Sequence, residues 1–270
     1  MRLSIESKRA CSAWFRAILI APIAEDLSPS TEQTTRGGNG IHVVLAEALQ
    51  EGGGDVAVRT ALQQSPEHGL TQSLLDDTDV LLWWSHLKDD EVDDEIVERV
   101  ARRVEAGMGL VILHSAIGSK VACRVLGTSC RGTGWRHGDA ELMWTVAPAH
   151  PICHGLPHPI SVPEGEMYGE PLDIPQPDEV VYLTSYAGGE VLRSVVTWQR
   201  GAGRVVFVAP GHEESPIYRQ AEIRLLLRNA TAWAGRQVVP GAPVCRPVVV
   251  HAVAVRAVRT GRPVVAASLG

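Results

Sequence analysis

Two short runs of wholly apolar residues constrain this chain most. Asp79–Trp84 (DVLLWW) and Gly109–Leu113 (GLVIL) carry no alternating polar residue, which suits strands covered on both faces. Between them, Asp89–Ala106 places Val92, Ile96, Val97, Val100 and Val104 on one helical stripe, with acids loaded into the first turns where the helix dipole favours them. A buried strand, an amphipathic helix and a second buried strand make a unit that closes only as parallel strands with a helix laid across them.

The same alternation extends upstream. Trp14–Pro22 reads as a first strand, Ile41–Glu51 as a helix with Ile41, Val44, Leu45, Ala48 and Leu49 on one face, Val56–Val58 as a brief strand, and Leu70–Thr78 as a short helix. The first half is thus β-α-β-α-β-α-β, an α/β fold with a parallel sheet and helices on both faces. The second half changes character. Pro and Gly crowd Ala147–Gly189, which predicts long loops or a β-rich insertion. Val180–Thr184, Ser194–Gln199 and Arg204–Ala209 read as strands and Ile223–Ala234 as a last amphipathic helix. The main domain spans 13–236. Residues 237–270 form a Val-, Ala- and Arg-rich tail without an acidic residue.

Composition removes several functions. The formal net charge is -6 and no basic stripe is present, so nucleic acid is not an expected partner. No apolar run is long enough for a membrane span, and Arg16 interrupts the stretch Ala10–Ala24, which reads as a strand rather than a leader. The five cysteines form no C-x-x-C pair and no disulfide framework, which points to a cytoplasmic protein. The glycine clusters do not fit a dinucleotide fingerprint.

In open parallel sheets, ligands bind beyond the carboxyl ends of the strands. Three histidines stand at such ends: His86, His114 and His212. Histidine serves either as a metal ligand or as a proton carrier. Glu164–Asp173 (EGEMYGEPLD) adds Glu166, Glu170 and Tyr168, and two His with a carboxylate form a common zinc or iron ligand set. The expected site therefore has His86, His114 and His212 around a divalent metal, zinc or similar, with Glu166 or Glu213 as general base. Trp84, Tyr168 and Glu170 would bind substrate. Ser115 follows a strand where a nucleophile elbow would sit, but without G-x-S-x-G, and a helix N-cap is its blander role.

Asp79–Val100, Gly107–Lys120 (GMGLVILHSAIGSK), Leu126–Trp135 (LGTSCRGTGW), Glu164–Pro175, Gly188–Ser194 and Pro210–Glu213 (PGHE) together resemble the trehalose-utilisation (ThuA-like) family over roughly residues 40–235. The resemblance implies a flavodoxin-like sheet similar to class I glutamine amidotransferases. It also implies a place in disaccharide catabolism, beside an NAD-dependent oxidoreductase that makes keto-sugars. The substrate would be a small sugar, and the chain is compatible with a homo-oligomer. Amidotransferases need a cysteine at the elbow, where this chain has His114-Ser115, so glutamine hydrolysis is not expected. The family's W-N-E-x-x-H turn is missing from Pro22–Gln33 (PIAEDLSPSTEQ), and its H-S-G-H is H-S-A-I here. Three readings stay open: a metal-assisted enzyme on a disaccharide or its keto derivative, a non-catalytic sugar-sensing or partner-binding protein, and a Ser115 hydrolase.

Overall fold

The computed structural model describes residues 18–23, 41–51, 57–86, 88–132, 134–212 and 215–235. The tail, the loop upstream of Gly40, the start of the first predicted strand and Glu213 lie outside the described residues. Strand β1 (Ile18–Ile23), helix α1 (Ile41–Gln50), β2 (Val58–Thr60), α2 (Gln72–Asp76), β3 (Val80–Ser85), α3 (Asp94–Glu105) and β4 (Gly109–Leu113) follow in the expected alternation. Helix α4 (Lys120–Leu126) comes next. Strands β5 (Trp135–Thr145), β6 (Ile160–Tyr168), β7 (Glu179–Tyr186), β8 (Val191–Arg200) and β9 (Gly203–Val208) then precede α5 (Ala221–Ala234).

Among the described residues the nine strands make one sheet, ordered β2-β1-β3-β4-β9-β8-β7-β5-β6. The strands from β2 to β9 in that order pair in parallel, and those from β9 to β6 pair antiparallel. The fold is therefore mixed α/β. The Pro- and Gly-rich stretch Ala147–Gly189 is β-rich: it carries β6 and β7, which with β5 before it extend the same sheet.

Successive side chains of β3, β4 and β9 enter two different cores. Leu81, Trp83, Leu110, Ile112, Val205 and Phe207 pack with Ile96 and Val100 of α3 and Val121 of α4. Val80, Leu82, Trp84, Val111, Leu113, Val206 and Val208 pack with Leu45 of α1 and Leu226 and Leu227 of α5. Each such side chain contributes about 1.5–3 kcal/mol on burial, so helices on both faces follow from strands apolar at every position. The helix expected from Asp89 starts late. Asp89–Glu91 is a 3₁₀ turn, and Val92, 2% exposed, takes an extended backbone that directs it into the core. Helix α3 then begins with Asp94 and Glu95 in its first turn and closes with Arg102 and Arg103 in its last, as its dipole favours.

Candidate functional site

Parallel pairing brings the carboxyl ends of β3, β4 and β9 to one edge of the sheet, and Ser85, His114 and Ala209 stand there. His114 is the first residue after β4 and has φ 51°. A non-glycine residue in that region is strained, and such residues gather at functional sites. The surroundings hold it firmly. Its ring stacks on Trp84 (centroids 5.7 Å apart, planes at 12°) and on Tyr168 (4.9 Å, 26°). Gly211 is required opposite it, because a Cβ there would lie 2.6 Å from the His114 Cβ and also press on the Tyr218 hydroxyl.

Glu166 reaches His114 from the far end of the sheet. Five strand spacings separate β4 from β6, roughly 24 Å in a flat sheet at about 4.8 Å each. Yet the His114 Nε2 lies 2.7 Å from the Glu166 Oε2, so the sheet curls until its last strand meets its parallel half. The His114 Nδ1 faces the Ala209 carbonyl oxygen at 2.9 Å. A carbonyl only accepts, so Nδ1 carries a proton. The ionised Glu166 carboxylate also only accepts, so Nε2 donates to it and the two side chains form a buried imidazolium–carboxylate pair. The Tyr168 hydroxyl donates to the same oxygen of Glu166 at 3.0 Å and lies 3.2 Å from the His114 Nε2. Burial pushes the Glu166 carboxyl up, but the hydrogen bond and charge of His114, the Tyr168 hydroxyl and the charge of His137 outweigh it. The result holds Glu166 down at about 2.

His137 was not singled out in the sequence. It lies opposite Glu166 in the β5–β6 register, with Nδ1 3.4 Å from the Glu166 Oε1 and 3.0 Å from the His212 Nε2. The Ser215 N–H donates to the His212 Nδ1 at 3.1 Å, which fixes the His212 ring with its Nε2 against His137. The His137 side chain is half exposed, while Glu166 is 4% exposed. His137 thus stands half exposed between two buried groups, His212 and Glu166, and connects solvent to the buried pair. The clue that local sequence offered was W-R-H-G-D, where a histidine and an acid sit beside an aromatic, but only the strand register shows what they meet.

A cleft of about 440 Å³ adjoins this cluster, lined among others by Ser115, Cys123, Cys130, Arg131, Trp135 and Tyr168. That size falls in the range of small-molecule sites, about 300–1,000 Å³. Tyr168 is shared by cleft and cluster, so its side chain is the link between them.

Other expected roles change. Trp84 is 1% exposed and cannot stack on a sugar, since it forms the wall behind His114. The exposed tryptophan at the cleft is Trp135, 63% exposed, with its ring edge-on to His137 at 4.8 Å. Glu170 is a structural clamp. Its carboxylate takes a forked pair of bonds from the Arg193 guanidinium (2.6 and 3.0 Å) and further bonds from the backbone N–H groups of Leu172 and Arg193, pinning the segment after Tyr168 onto β8. Burial pushes its carboxyl up, and these donors outweigh that and leave it below its ordinary range. Ser115 donates to the Ser85 carbonyl at 2.7 Å, tying the ends of β3 and β4 rather than meeting a histidine. The cap of α4 is Ser119. His86 follows β3 at the same edge and is half-buried near Asp89, whose carboxyl is raised by burial and drawn back by Ser85 and His86.

Among the described residues, His86, His114 and His212 are not arranged as one ligand set. Both ring nitrogens of His114 and both of His212 are engaged within the protein. Among the described residues, no three His, Cys, Asp or Glu side chains are arranged to hold an ion. Among those residues, too, no helix is long and apolar enough to cross a membrane.

A family model described as trehalose utilisation (ThuA) matches residues 31–234. No curated protein matches the sequence. Among solved structures, a protein described as ThuA-like from Parabacteroides merdae is similar with TM-score 0.64 at 17% identity, over 84% of this chain and 93% of that one. Another described the same way, from Bacteroides uniformis, has TM-score 0.58 at 18% identity, over 83% and 93%. A cytoplasmic protein from Salmonella typhimurium LT2 has TM-score 0.54 at 14% identity, over 81% and 99%. At these identities the likeness concerns the fold.

Proposed function

This chain belongs to the ThuA trehalose-utilisation family, and from that premise we propose that it carries out proton transfer on a disaccharide or its keto derivative in the cleft beside Tyr168. The observation that carries this reading is the buried His114–Glu166 pair, with Tyr168 both bonded to it and lining the cleft. The strand order β2-β1-β3-β4-β9 supports reading the parallel half as the flavodoxin-like sheet of the amidotransferase superfamily. Cysteine-dependent glutamine hydrolysis is not part of the proposal. The elbow carries His114, and burial pushes the Cys130 thiol up to about 12, which leaves little of the nucleophilic thiolate.

In this reading Trp135 offers its exposed face to the sugar ring. Tyr168 touches a substrate oxygen and exchanges a proton with it, and the imidazolium–carboxylate pair supplies or takes up that proton. When the oxygen is a keto group, Tyr168 turns its one hydroxyl proton from Glu166 towards it and stabilises the enolate that forms. His137, half exposed at the cluster's open side, is placed to move the proton of the neighbouring C–H. Positioned acid–base groups of this kind accelerate a reaction by about 10²–10⁴-fold. An NAD-dependent oxidoreductase is the class of enzyme that would supply a keto-sugar. The chemistry needs no metal, and none is assigned a step.

The test is proton NMR of the keto derivative of trehalose in D₂O with purified protein. The expected result is loss of the C–H signal beside the carbonyl, slowed by about 10²–10⁴-fold in Tyr168→Phe. Sugar binding without exchange, or equal rates for the two proteins, overturns the proposal.

A further inference from the structure

Glu141 on β5 is 1% exposed, and neither of its carboxyl oxygens has a hydrogen-bond partner. Leaving a charged carboxylate unpaired in such a place costs far more than taking up a proton. The position is also built around it. Gly165, the residue before Glu166, lies against the carboxyl so closely that a Cβ there would collide with the Glu141 Oε1, and the Cδ would stand 2.9 Å from it. Glycine at 165 therefore makes room for this carboxyl against the backbone next to Glu166. A side chain kept only for packing would have no need of two buried oxygens.

The charged and titratable groups around Glu141 come from three strands. On its own strand is Asp139, which is paired with Arg136; Arg136 in turn pairs with Glu190 at 2.8 Å. On β6 is Glu166, with His114 and His137 beyond it. On β7 is Tyr186, the register partner of Glu141, whose hydroxyl is raised above its ordinary range by burial and by Glu141, Asp139 and Glu166. Among the described residues, no cation hydrogen-bonds either oxygen of Glu141. Two neighbouring carboxyls in a dry site do not both ionise readily. Here the environments separate them. His114 and Tyr168 hold Glu166 ionised, while burial, then Asp139 and Glu166, push Glu141 up to about 8. Carboxyls driven apart in this way mark acid and base roles in one site.

We propose that Glu141 is a positioning residue of the Glu166 site: a protonated carboxyl beside Glu166 that keeps Glu166 the ionised member at neutral pH and, on ionising, sets the site's alkaline limit. Ionised Glu141 places a second negative charge beside Glu166. The imidazolium–carboxylate pair then holds its proton more tightly and yields it less readily to Tyr168. The proposal rests on the proton-transfer reading for its functional meaning, but its test uses no sugar.

The experiment follows the His114 ring C–H signal by NMR between pH 5 and 10 in the wild type and in Glu141→Gln, with a ¹³C-glutamate spectrum of the wild type alongside. Expected are a step in the His114 shift near pH 8 that Glu141→Gln lacks, and one wild-type carboxyl signal that titrates near pH 8. A step that persists in Glu141→Gln, or no carboxyl titrating in that range, overturns the proposal. The carboxyl measurement needs no variant, so a Glu141→Gln chain that fails to fold leaves it decisive. In the keto-sugar exchange assay, the wild-type rate should fall about tenfold per pH unit above pH 8 and the Glu141→Gln rate should not. Exchange absent from both proteins overturns the proton-transfer reading without touching the NMR result.

Discussion

The parallel and antiparallel halves of the sheet are built on different rules. Strands β3 and β4 are buried at every position and sit between two helical layers. Strands β5 and β7 alternate, and they leave Leu142, Trp144 and Leu183 exposed while burying Asp139, Glu141 and Met143. The parallel half supplies stability and a strained strand end at His114. The antiparallel half supplies buried carboxyls. Chemistry appears where the curled sheet brings the two together, through His114 of one and Glu166 of the other. A rigid apolar layer can hold a residue in a costly backbone conformation, and a polar extension can then be aimed at it.

The comparison breaks most sharply when the joint is cut. His114→Ala leaves Glu166 buried without its cation, and losing one partner of a buried pair costs about 3–5 kcal/mol. Urea denaturation at neutral pH measures that loss, and a change below about 1 kcal/mol would mean the halves do not depend on this contact. Gly211→Ala presses on the His114 Cβ and the Tyr218 hydroxyl, and overpacking of this kind costs about 1–3 kcal/mol. The exchange rate should fall with it, because the ring of His114 is displaced, whereas a stability loss with the rate intact would separate the packing of His114 from its chemistry.

The pH dependence sharpens the same contrast. Glu166 is held below its unfolded value, so its contribution is complete above about pH 4.5 and is lost as pH falls through about 2. Glu141 is held above its unfolded value, so its contribution is complete below about pH 4.5 and is lost as pH rises through about 8. Melting curves of Glu141→Gln against the wild type should therefore diverge in favour of the variant as pH rises from 5 to 9. Parallel curves would remove Glu141 from the account. The smallest effect is expected at Ser115. Ser115→Ala removes one hydrogen bond to the Ser85 carbonyl, about 1 kcal/mol, and slows exchange by no more than about tenfold. Complete loss of turnover would instead make Ser115 the nucleophile.

Much of the parallel half was legible in the sequence, because a strand buried on both faces must be a continuous apolar run and its helices must be amphipathic. Strands β5 and β6 were not. Their buried positions include Asp139, Glu141 and Glu166, so β5 buries acids while Leu142 and Trp144 face out, and β6 loses its alternation of burial after Val162. His114, Glu166, Tyr168 and His212 stood out in the sequence and meet in one cluster. His137 did not, because its partners lie 29 and 75 residues away and depend on strand register. Trp84 and Trp135 look alike as residue types, and only burial tells the wall of the site from its exposed face.

The most direct test of the account is the protonation of Glu166, followed through its ¹³C carboxyl signal from pH 1.5 to 7 and assigned by its disappearance in Glu166→Gln. The account predicts a carboxylate that stays ionised down to about pH 2 in the wild type and titrates higher in His114→Gln, where the cation is gone. A Glu166 that titrates near 4.5 in both proteins would contradict it, because the imidazolium–carboxylate pair on which the site is built would not exist.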